Sequence, residues 1–296
     1  MHVYKSRFLV RGEVWYEHEP DSLAPDWIFY RQRSQPVPGA RWKYFYTILL
    51  DLGQSPEELL AQMSKTAAYK IRRARDRDRV VCEALKPVRR EALDKFEQTY
   101  TRFAVVKELA PLDRPFLDQL AKDGFLELSV ARSPAGEELV FHAYYLDAER
   151  SCLLHTISLH EALPDSAARN AVGRANRYLF WCDMLRHKAQ GLKGFDFGGW
   201  YPGNTDRERL DINRFKEGFG GKVVREYNCE QVLTFKGRVV LGVAAMLNCA
   251  KRIAAKLLPH SPRKGAETNA TEVPANLSGA LPRVETPGLR ESKLAN

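Results

Sequence analysis

Three strand-like segments in a row, followed by a long helical segment and a short strand, constrain the fold of this chain most. The three segments are FLELSVARS (125–133), ELVFHAYYLD (138–147) and CLLHTISL (152–159), and short turns join them. Turns of this length connect antiparallel neighbours. Residues 171–190 repeat apolar side chains at helical spacing, and FDF (195–197) follows a glycine-bounded turn. This order predicts an α+β fold, with a mixed, mostly antiparallel sheet flanked by helices.

The segments on either side divide the chain into four parts. Residues 1–55 hold three strand-like runs, which are expected to pack on the central unit or to complete it. Residues 56–236 form the main domain, and residues 237–258 predict an amphipathic helix. Residues 259–296 are rich in Pro, Ser, Thr, Asn and Glu, which predicts a disordered tail. The main domain has further predicted helices at 55–77, 89–107 and 113–122, and further predicted strands at 223–228 and 230–236.

The charge of the chain indicates anionic partners. The formal net charge is +9, and most of it lies before the tail. A positive body suits phosphorylated substrates, acidic glycans, anionic membrane surfaces or RNA, and does not select one of them. The composition, 44% hydrophobic and 28% charged, is typical of a soluble globular protein.

Several classes of protein are excluded by what the sequence lacks. It has no nucleophile elbow, His-Glu-x-x-His pair, Walker loop or dinucleotide fingerprint. Five widely spaced cysteines predict free thiols in a reducing compartment, with neither disulfides nor a metal site. The longest apolar run, 239–250, has 12 residues, and a bilayer span takes roughly 20. We therefore expect a cytoplasmic protein, peripheral at most to the inner membrane face through the helix 238–258.

An arginine-rich turn precedes the long helix. Arg169, Arg174 and Arg177 surround the predicted helix start, where the helix dipole is positive and backbone amides bind anions. A bound phosphate group would explain three cations there. The alternative is that they are solvated or pair with Glu161 and Asp165. Asn170 and Asn176 would add hydrogen bonds or simply cap the helix.

Four segments resemble one known family. Asn170-Ala171-Val172-Gly173-Arg174-Ala175 is similar to the Gln/Arg-x-x-Gly-x-Gly/Ala turn of the Gcn5-related N-acetyltransferases (GNAT), with Asn at the first position and Arg169 before it. FDFGG (195–199), RFKEGFGGKVV (214–224) and KTAAYKIRRARDRDRVVCEA (65–84) resemble segments of the GNAT-like branch related to the Fem peptidoglycan-bridge aminoacyltransferases. The resemblance covers about residues 50–245 and implies a GNAT-like acyltransferase fold.

The resemblance also implies a donor site. In the GNAT family the glycine turn holds the pyrophosphate of acyl-coenzyme A, which is a co-substrate, and no metal is required. The residues to which this role is carried over are Arg169, Asn170, Gly173, Arg174, Ala175, Asn176 and Arg177. Aminoacyl-tRNA is the alternative donor, as in the Fem enzymes.

Five side chains are candidates for the chemistry of amine acylation. His155, and less favourably His142, could act as the base that the ammonium group needs, although histidines within strands are more often packed. Asp196 would either orient a substrate amine or hold a local arginine or backbone amide. Lys216, which the resemblance places near the reaction centre, would stabilise the oxyanion or remain a surface lysine. Tyr201 is a candidate acid.

Three further residues are candidates for substrate binding. Arg72 and Arg73 lie in a basic helix with seven Lys or Arg between Lys65 and Arg79, which would contact an anionic substrate or RNA or be a solvated outer face. Trp200 would line the opening of the site. The final helix would bury Val239, Val243, Met246, Ala250, Ile253 and Leu257 against the domain or, alternatively, against a membrane surface.

Together these features predict an N-acyltransferase of the class that transfers groups other than amino-acyl groups. The expected donor is acyl-coenzyme A, and the expected acceptor is an amino group of a cell-envelope or polysaccharide precursor, either a small molecule or a lipid-linked glycan. Two alternatives remain at this point: a Fem-like aminoacyl-tRNA-dependent transferase, and a non-catalytic protein that binds a glycan or another anion on the same fold.

Overall fold

The computed structural model describes residues 1–159 and 165–257, and for residues 245 and 248–257 it describes the backbone alone. The protein has an α+β fold built on one ten-stranded mixed sheet. The strands are β1 (His2–Ser6), β2 (Leu9–Trp15), β3 (Trp27–Arg33), β4 (Arg41–Asp51), β5 (Val81–Leu85), β6 (Leu126–Arg132), β7 (Glu138–Leu146), β8 (Arg150–Ser158), β9 (Gly194–Asp196) and β10 (Lys222–Val232). The helices are α1 (Pro56–Ala61), α2 (Lys65–Asp76), α3 (Arg90–Val106), α4 (Arg114–Lys122), α5 (Ser166–Ala189), α6 (Arg207–Glu217) and α7 (Phe235–Leu257).

The predicted meander lies in one half of the sheet. The strands β6, β7 and β8 pair antiparallel in sequence order, and β5 adds an antiparallel edge. The chain then crosses over through α5 and returns as β9, parallel to β8. The α+β class and the mostly antiparallel sheet predicted from the sequence are confirmed.

The first strands of the chain extend the same sheet. The order across it is β1-β2-β3-β10-β4-β9-β8-β7-β6-β5, so β10 lies between two strands of the first fifty residues. The strand β3 pairs antiparallel with β10, and β2 pairs parallel with β3. Of the two placements that the sequence left open for residues 1–55, the structure therefore has the one in which they complete the sheet.

Helices cover both faces of the sheet. On one face α2 packs against α5, and a core rich in phenylalanine joins α5, α6 and the sheet through Phe180, Phe195, Phe197, Phe215 and Phe219. On the other face α3 and α4 bury Leu93, Phe96, Tyr100, Leu117 and Leu120 against β6, β7 and β8. Because both faces are covered there, almost every side chain of the middle strands is buried, polar ones included.

Two predictions of element boundaries were wrong, one for a helix and one for a pair of strands. The helix predicted over 55–77 is two helices, since Ser64 accepts a hydrogen bond from the Ala67 amide at 3.1 Å and starts a second helix. The strands predicted at 223–228 and 230–236 are the single strand β10, which a register shift bends between Tyr227 and Cys229.

The last helix is not buried as predicted. Phe235 and Met246 are 80% and 73% exposed, and Val239 and Val243 are also exposed. The side chains of Ala250, Ile253 and Leu257, which the prediction included, lie outside the described residues, as does the tail 259–296. None of the helices in the described part of the chain is long and apolar enough to span a membrane.

Candidate functional site

The centre of the sheet opens where β8 and β9 separate. These parallel strands pair only over Arg150–Cys152 and Gly194–Asp196. Gly198 then crosses close to β8 with φ of +59°, and a Cβ atom there would lie 2.4 Å from the carbonyl oxygen of Leu153. Only glycine fits both the left-handed backbone and this approach. Beyond this crossing, no described strand pairs with β8 on this side, which leaves a gap between the two strands that we call the cleft.

Lys216 reaches the backbone at this crossing. It lies near the end of α6, is only 5% exposed, and donates to the carbonyl oxygens of Gly198 and, at 2.6 Å, Gly199. Burial lowers the pKa of its ammonium group to about 8, against an opposing effect of the Asp196 carboxylate. A buried cation without a directly bonded carboxylate is costly, which makes Lys216 a candidate for a functional role.

Asp196 is the polar anchor beneath the crossing. Its carboxylate accepts hydrogen bonds from the Gly198 amide at 2.7 Å, the Gln32 side chain at 2.6 Å, and the side chains of Thr47 and Arg150. Arg150 also pairs with Glu226 at 2.6 Å. Of the alternatives that the sequence left open, the described contacts match the one in which Asp196 holds a local arginine and a backbone amide.

His155 lies on the face covered by α3. Its ring packs edge-on against Tyr100 and Phe96, with centroids 5.0 and 6.2 Å away. Burial, with a smaller contribution from the positive charge of Arg31, lowers the pKa of His155 to about 3. The imidazole is therefore neutral throughout the physiological pH range and is a weak base.

His142 belongs to a buried polar network under α5. Its Nδ1 lies 2.7 Å from the Asp183 carboxylate and its Nε2 lies 2.9 Å from the Asn176 amide oxygen. Tyr144 donates to the same carboxylate at 2.8 Å, and Arg186 pairs with its second oxygen at 2.6 Å. Such a network fixes α5 on the sheet. This is the packed and hydrogen-bonded role that the sequence favoured for His142.

Tyr201 and Trp200 follow the glycine crossing and lie at the opening. The backbone of Tyr201 is fixed by the Asn213 side chain, which donates to its carbonyl at 2.7 Å and accepts from its amide at 3.0 Å. The Tyr201 hydroxyl lies 3.3 Å from that of Thr205. The indole of Trp200 donates to Glu217 at 2.9 Å. Both side chains are partly exposed.

The arginines do not form a turn before the helix. The helix α5 begins at Ser166, five residues earlier than predicted, and Asp165 caps it through the Ala168 amide at 2.6 Å. Arg169, Asn170 and Gly173 therefore lie within the first two turns, where most backbone amides are used by the helix itself. Ala175 and Asn176 are buried against the sheet, while Arg169 and Asn170 are exposed. Glu161, the other suggested partner of the arginines, lies outside the described residues.

Among the three arginines Arg169, Arg174 and Arg177, Arg177 is the one that is buried. It is 7% exposed, donates to the Gly173 carbonyl at 3.2 Å, and stacks over the Phe215 ring, with 4.4 Å from the guanidinium carbon to the centroid. None of the described carboxylates pairs with it. Burial lowers its pKa to about 10. Arg174, by contrast, is neutralised by Asp78 at 2.5 Å.

Lys70 on α2 completes a cationic cluster that the sequence did not identify. Burial first, and then the charges of Arg177 and Arg174, lower the pKa of Lys70. Arg177 and Arg174 lie close enough to Lys70 to lower its pKa, and such a group of cations is a candidate site for an anion. The signal in the sequence was the basic helix itself, in which Lys70 is one of seven cations and has no distinguishing neighbour.

Two buried polar atoms in this region have no hydrogen-bond partner among the described residues. They are Nε of Arg73 on α2 and the hydroxyl of Thr156 on β8. Thr156 faces the side of the sheet on which α5 lies, since it pairs with His142, whose ring packs on Phe180. Unsatisfied buried polar groups are rare in native proteins, and a ligand that supplies the missing partner is one explanation. Arg72, the neighbouring candidate, is exposed.

Comparison with solved structures establishes the fold. The crystal structure of FemX superposes with a TM-score of 0.51 at 15% identity, over 66% of this chain and 62% of FemX. The C-terminal domain of a protein assigned as a lysylphosphatidylglycerol synthetase from Agrobacterium fabrum gives 0.48 at 15% identity, over 74% and 72% of the two chains. L-PGS from Bacillus licheniformis gives 0.46 at 14% identity, over 70% and 68%.

The protein therefore has the GNAT-like fold in the form found in FemX, as its sequence predicted. At this identity the likeness establishes the fold alone, and the chain spans less than two thirds of the length of FemX. No family model and no curated protein matches the sequence. Among the described residues, no group of three His, Cys, Asp or Glu side chains could hold a metal ion.

Proposed function

We propose that the protein is an N-acyltransferase that moves an acyl group from acyl-coenzyme A to an amino group of a cell-envelope or polysaccharide precursor. The observation that carries the proposal is the buried ammonium group of Lys216, bonded to the carbonyl oxygens of Gly198 and Gly199 where β8 and β9 separate. A cation at the opening of a GNAT-like sheet suits a reaction in which negative charge develops on a carbonyl oxygen.

The number of donors on Lys216 supports a role in the transition state. An ammonium group has three N–H donors, and two of them are taken by the glycine carbonyls. The third is available to the oxygen of an acyl group in the cleft. When the amine nitrogen attacks the thioester carbon, this N–H donates to the developing oxyanion. The C–S bond then breaks, the amide forms, the amine loses a proton and the thiolate gains one.

The proton transfers would take place at the opening. The amine proton would leave through a water molecule, because His155, the base predicted from the sequence, is packed against Tyr100 under α3 on the other face of the sheet and has a pKa lowered to about 3. Tyr201 is the proposed acid for the thiolate. Asp196 acts by positioning, since it holds the Gly198 amide at 2.7 Å and thereby the carbonyls that Lys216 contacts.

The phosphates of the donor would bind between α2 and α5. Lys70 and Arg177 provide the charge, and the unpartnered Nε of Arg73 provides a further donor. This location revises the donor site predicted from the sequence, because Arg174 already has Asp78 as its counter-ion. Arg169 remains at the outer end of the same helix and could contact the more distal parts of the donor.

A second candidate function takes aminoacyl-tRNA as the donor. The observation in its favour is the outer face of α2 and the following turn, where Lys65, Arg72, Arg77 and Arg79 are exposed together with Tyr69. Exposed cations with an aromatic ring suit an RNA backbone and its bases. The cluster of Lys70 and Arg177 would serve either donor, since both carry phosphate groups.

Calorimetric titration with coenzyme A tests the donor. We expect binding to the wild type and a loss of about tenfold or more in affinity in Arg177→Met, since a charge-assisted phosphate contact is removed. Arg75→Met is the matched control, because Arg75 is an exposed cation of α2 that pairs with Asp76. If coenzyme A does not bind but tRNA binds with strong salt dependence, the second candidate replaces the first. If neither binds, the non-catalytic alternative stands.

We also propose that α7 contacts an anionic membrane surface, where a lipid-linked acceptor would be found. The helix has five Lys or Arg and no Asp or Glu, and its apolar side chains Phe235, Val239, Val243, Met246 and Leu247 are exposed. Its first turn is anchored to Asp26 through Thr234 at 2.6 Å and Lys236 at 2.9 Å. Flotation with vesicles containing anionic lipid should carry the wild type but not Met246→Glu, and a wild type that stays unbound would refute this contact.

A further inference from the structure

Five aromatic side chains form a continuous row on the sheet beside the candidate site. Trp42, Tyr44 and Tyr46 occupy alternate positions of β4 and therefore project from the same face. Tyr227 lies opposite Tyr44 on β10, and Trp200 follows the glycine crossing. We call these five side chains the aromatic row.

The rings are close enough to form one surface. Trp42, Tyr44 and Tyr227 make a triangle in which all three centroid separations are 5.3 Å. Tyr46 lies 6.2 Å from Tyr44 and 6.3 Å from Trp200. The contacts run without interruption from Trp42 at the outer end to Trp200 at the cleft.

The outer rings are not part of the protein core. Trp42 and Tyr44 are 44% and 46% exposed. Among the described residues, no hydrogen-bond partner is found for the hydroxyls of Tyr44, Tyr46 and Tyr227 or for the indole N–H of Trp42. Clustered exposed aromatic surface with a polar rim marks a binding site more often than a solvated one. Each of these four rings offers an apolar face together with a free polar tip.

The inner end of the row lies at the proposed reaction centre. The Trp200 amide donates to the Tyr46 carbonyl at 2.6 Å, which fixes Trp200 beside β4. Its indole donates to Glu217, the residue after Lys216, at 2.9 Å. Lys216 in turn bonds the carbonyl of Gly199, the residue before Trp200, at 2.6 Å. A ligand lying along the row would therefore end beside the Lys216 ammonium group.

We infer that the aromatic row binds a saccharide chain and leads its terminal amino sugar to Lys216. A pyranose ring has an apolar C–H face and a rim of hydroxyls, which match the aromatic faces and the free phenol and indole groups. The guanidinium of Arg225 lies over Tyr44 at 4.8 Å and is the cation stacked on the row. A surface for nucleic acid would combine the rings with a cationic groove that follows the backbone. The role as acceptor site rests on the proposed function, whereas saccharide binding does not.

Binding of a short glucosamine oligomer is the direct test, by calorimetry and by quenching of tryptophan fluorescence. We expect binding by the wild type and about tenfold weaker binding by Trp42→Ala and by Tyr44→Ala. Tyr44→Phe should retain most of the affinity if the ring face makes the contact. Phe8→Ala is the matched control, since Phe8 is an aromatic side chain 73% exposed at a turn away from the row.

The outcomes separate this inference from the proposed function. Coenzyme A binding should be unchanged in Trp42→Ala and Tyr44→Ala, which confirms that the variants are folded. Saccharide binding without any acyl transfer would leave the inference standing and count against the proposed function. The inference is overturned if the wild type does not bind the oligomer, or if Trp42→Ala and Tyr44→Ala bind it as tightly as Phe8→Ala. Displacement of the oligomer by single-stranded RNA, with loss of RNA binding in both ring variants, would also overturn it.

Discussion

Lys216 and Asp196 act on opposite sides of one glycine. The ammonium of Lys216 donates to the carbonyl of Gly198, while the carboxylate of Asp196 accepts from the amide of the same residue at 2.7 Å. The two charged side chains approach from different layers, Lys216 from α6 and Asp196 from the sheet. The backbone at the opening is thus held by one cation and one anion, and the first three predictions below follow from this arrangement.

Lys216→Met should lose activity without losing stability. Removing one donor to the oxyanion lowers kcat by about 10²–10³-fold in enzymes that depend on such a donor. Below pH 8 the buried charge of Lys216 destabilises the folded state. By linkage this destabilisation amounts to about 3 kcal/mol, and a methionine at the same position is not subject to it. Denaturant unfolding at pH 7 should give a midpoint no lower than that of the wild type. Lys222→Met, at an exposed lysine of β10, is the control, and a large loss of stability in Lys216→Met alone would refute a functional reason for the buried charge.

The pH dependence of stability should reveal the same lysine. Its folded pKa is about 8 and lies below the ordinary value of 10.5. Between these two values the unfolded chain binds more protons than the folded one, so the free energy of unfolding rises with pH in that window. This rise should be absent in Lys216→Met. Catalytic activity should fall above about pH 8 as the ammonium group loses its proton, and an activity that continues to rise there would indicate that Lys216 acts as a base instead.

Asp196→Asn should destabilise the protein strongly. The change removes one of the two carboxylates that pair with Arg150, which is largely buried. Breaking a buried pair by removing one partner costs about 3–5 kcal/mol. Thermal or denaturant unfolding measures the loss, with Asp76→Asn on the surface of α2 as the control, expected within about 1 kcal/mol of the wild type. Equal effects of the two changes would contradict the role of Asp196 as the anchor of the crossing.

Two glycine substitutions should have opposite signs. Gly198→Ala forces an L side chain into a backbone with φ of +59° and places its Cβ 2.4 Å from the Leu153 carbonyl, so the crossing must shift and stability must fall. Gly173→Ala lies within α5, where nothing is found within 4 Å of the added Cβ, and should stabilise the fold by about 0.5–1 kcal/mol. Unfolding measurements on both variants are the check. A stabilised Gly173→Ala that binds coenzyme A more weakly would show that the open space beside Gly173 holds the donor.

The central unit of the fold was predictable because its signals are local. Strand-like runs joined by short turns predicted β6, β7 and β8, and their antiparallel order follows from the turn lengths. The same is true of the long helix and the short strand after it. The start of the long helix was predicted too late in the chain. Asp165 caps the helix by accepting a hydrogen bond from the Ala168 amide, and a cap of this kind competes with the glycine signal at 173.

The sequence by itself determined the order of the elements, the basic helix and the positions of Lys216, Asp196 and the glycines between them. Only the tertiary structure decided which charges are paired. Arg174 meets Asp78, while Arg177 and Lys70 meet each other across two helices. It also decided that rings from β4, from β10 and from the segment after β9 form one row. The physical reason is that charge compensation and ring packing depend on distances between elements far apart in the chain, whereas strands, helices and turns are set by neighbours along it.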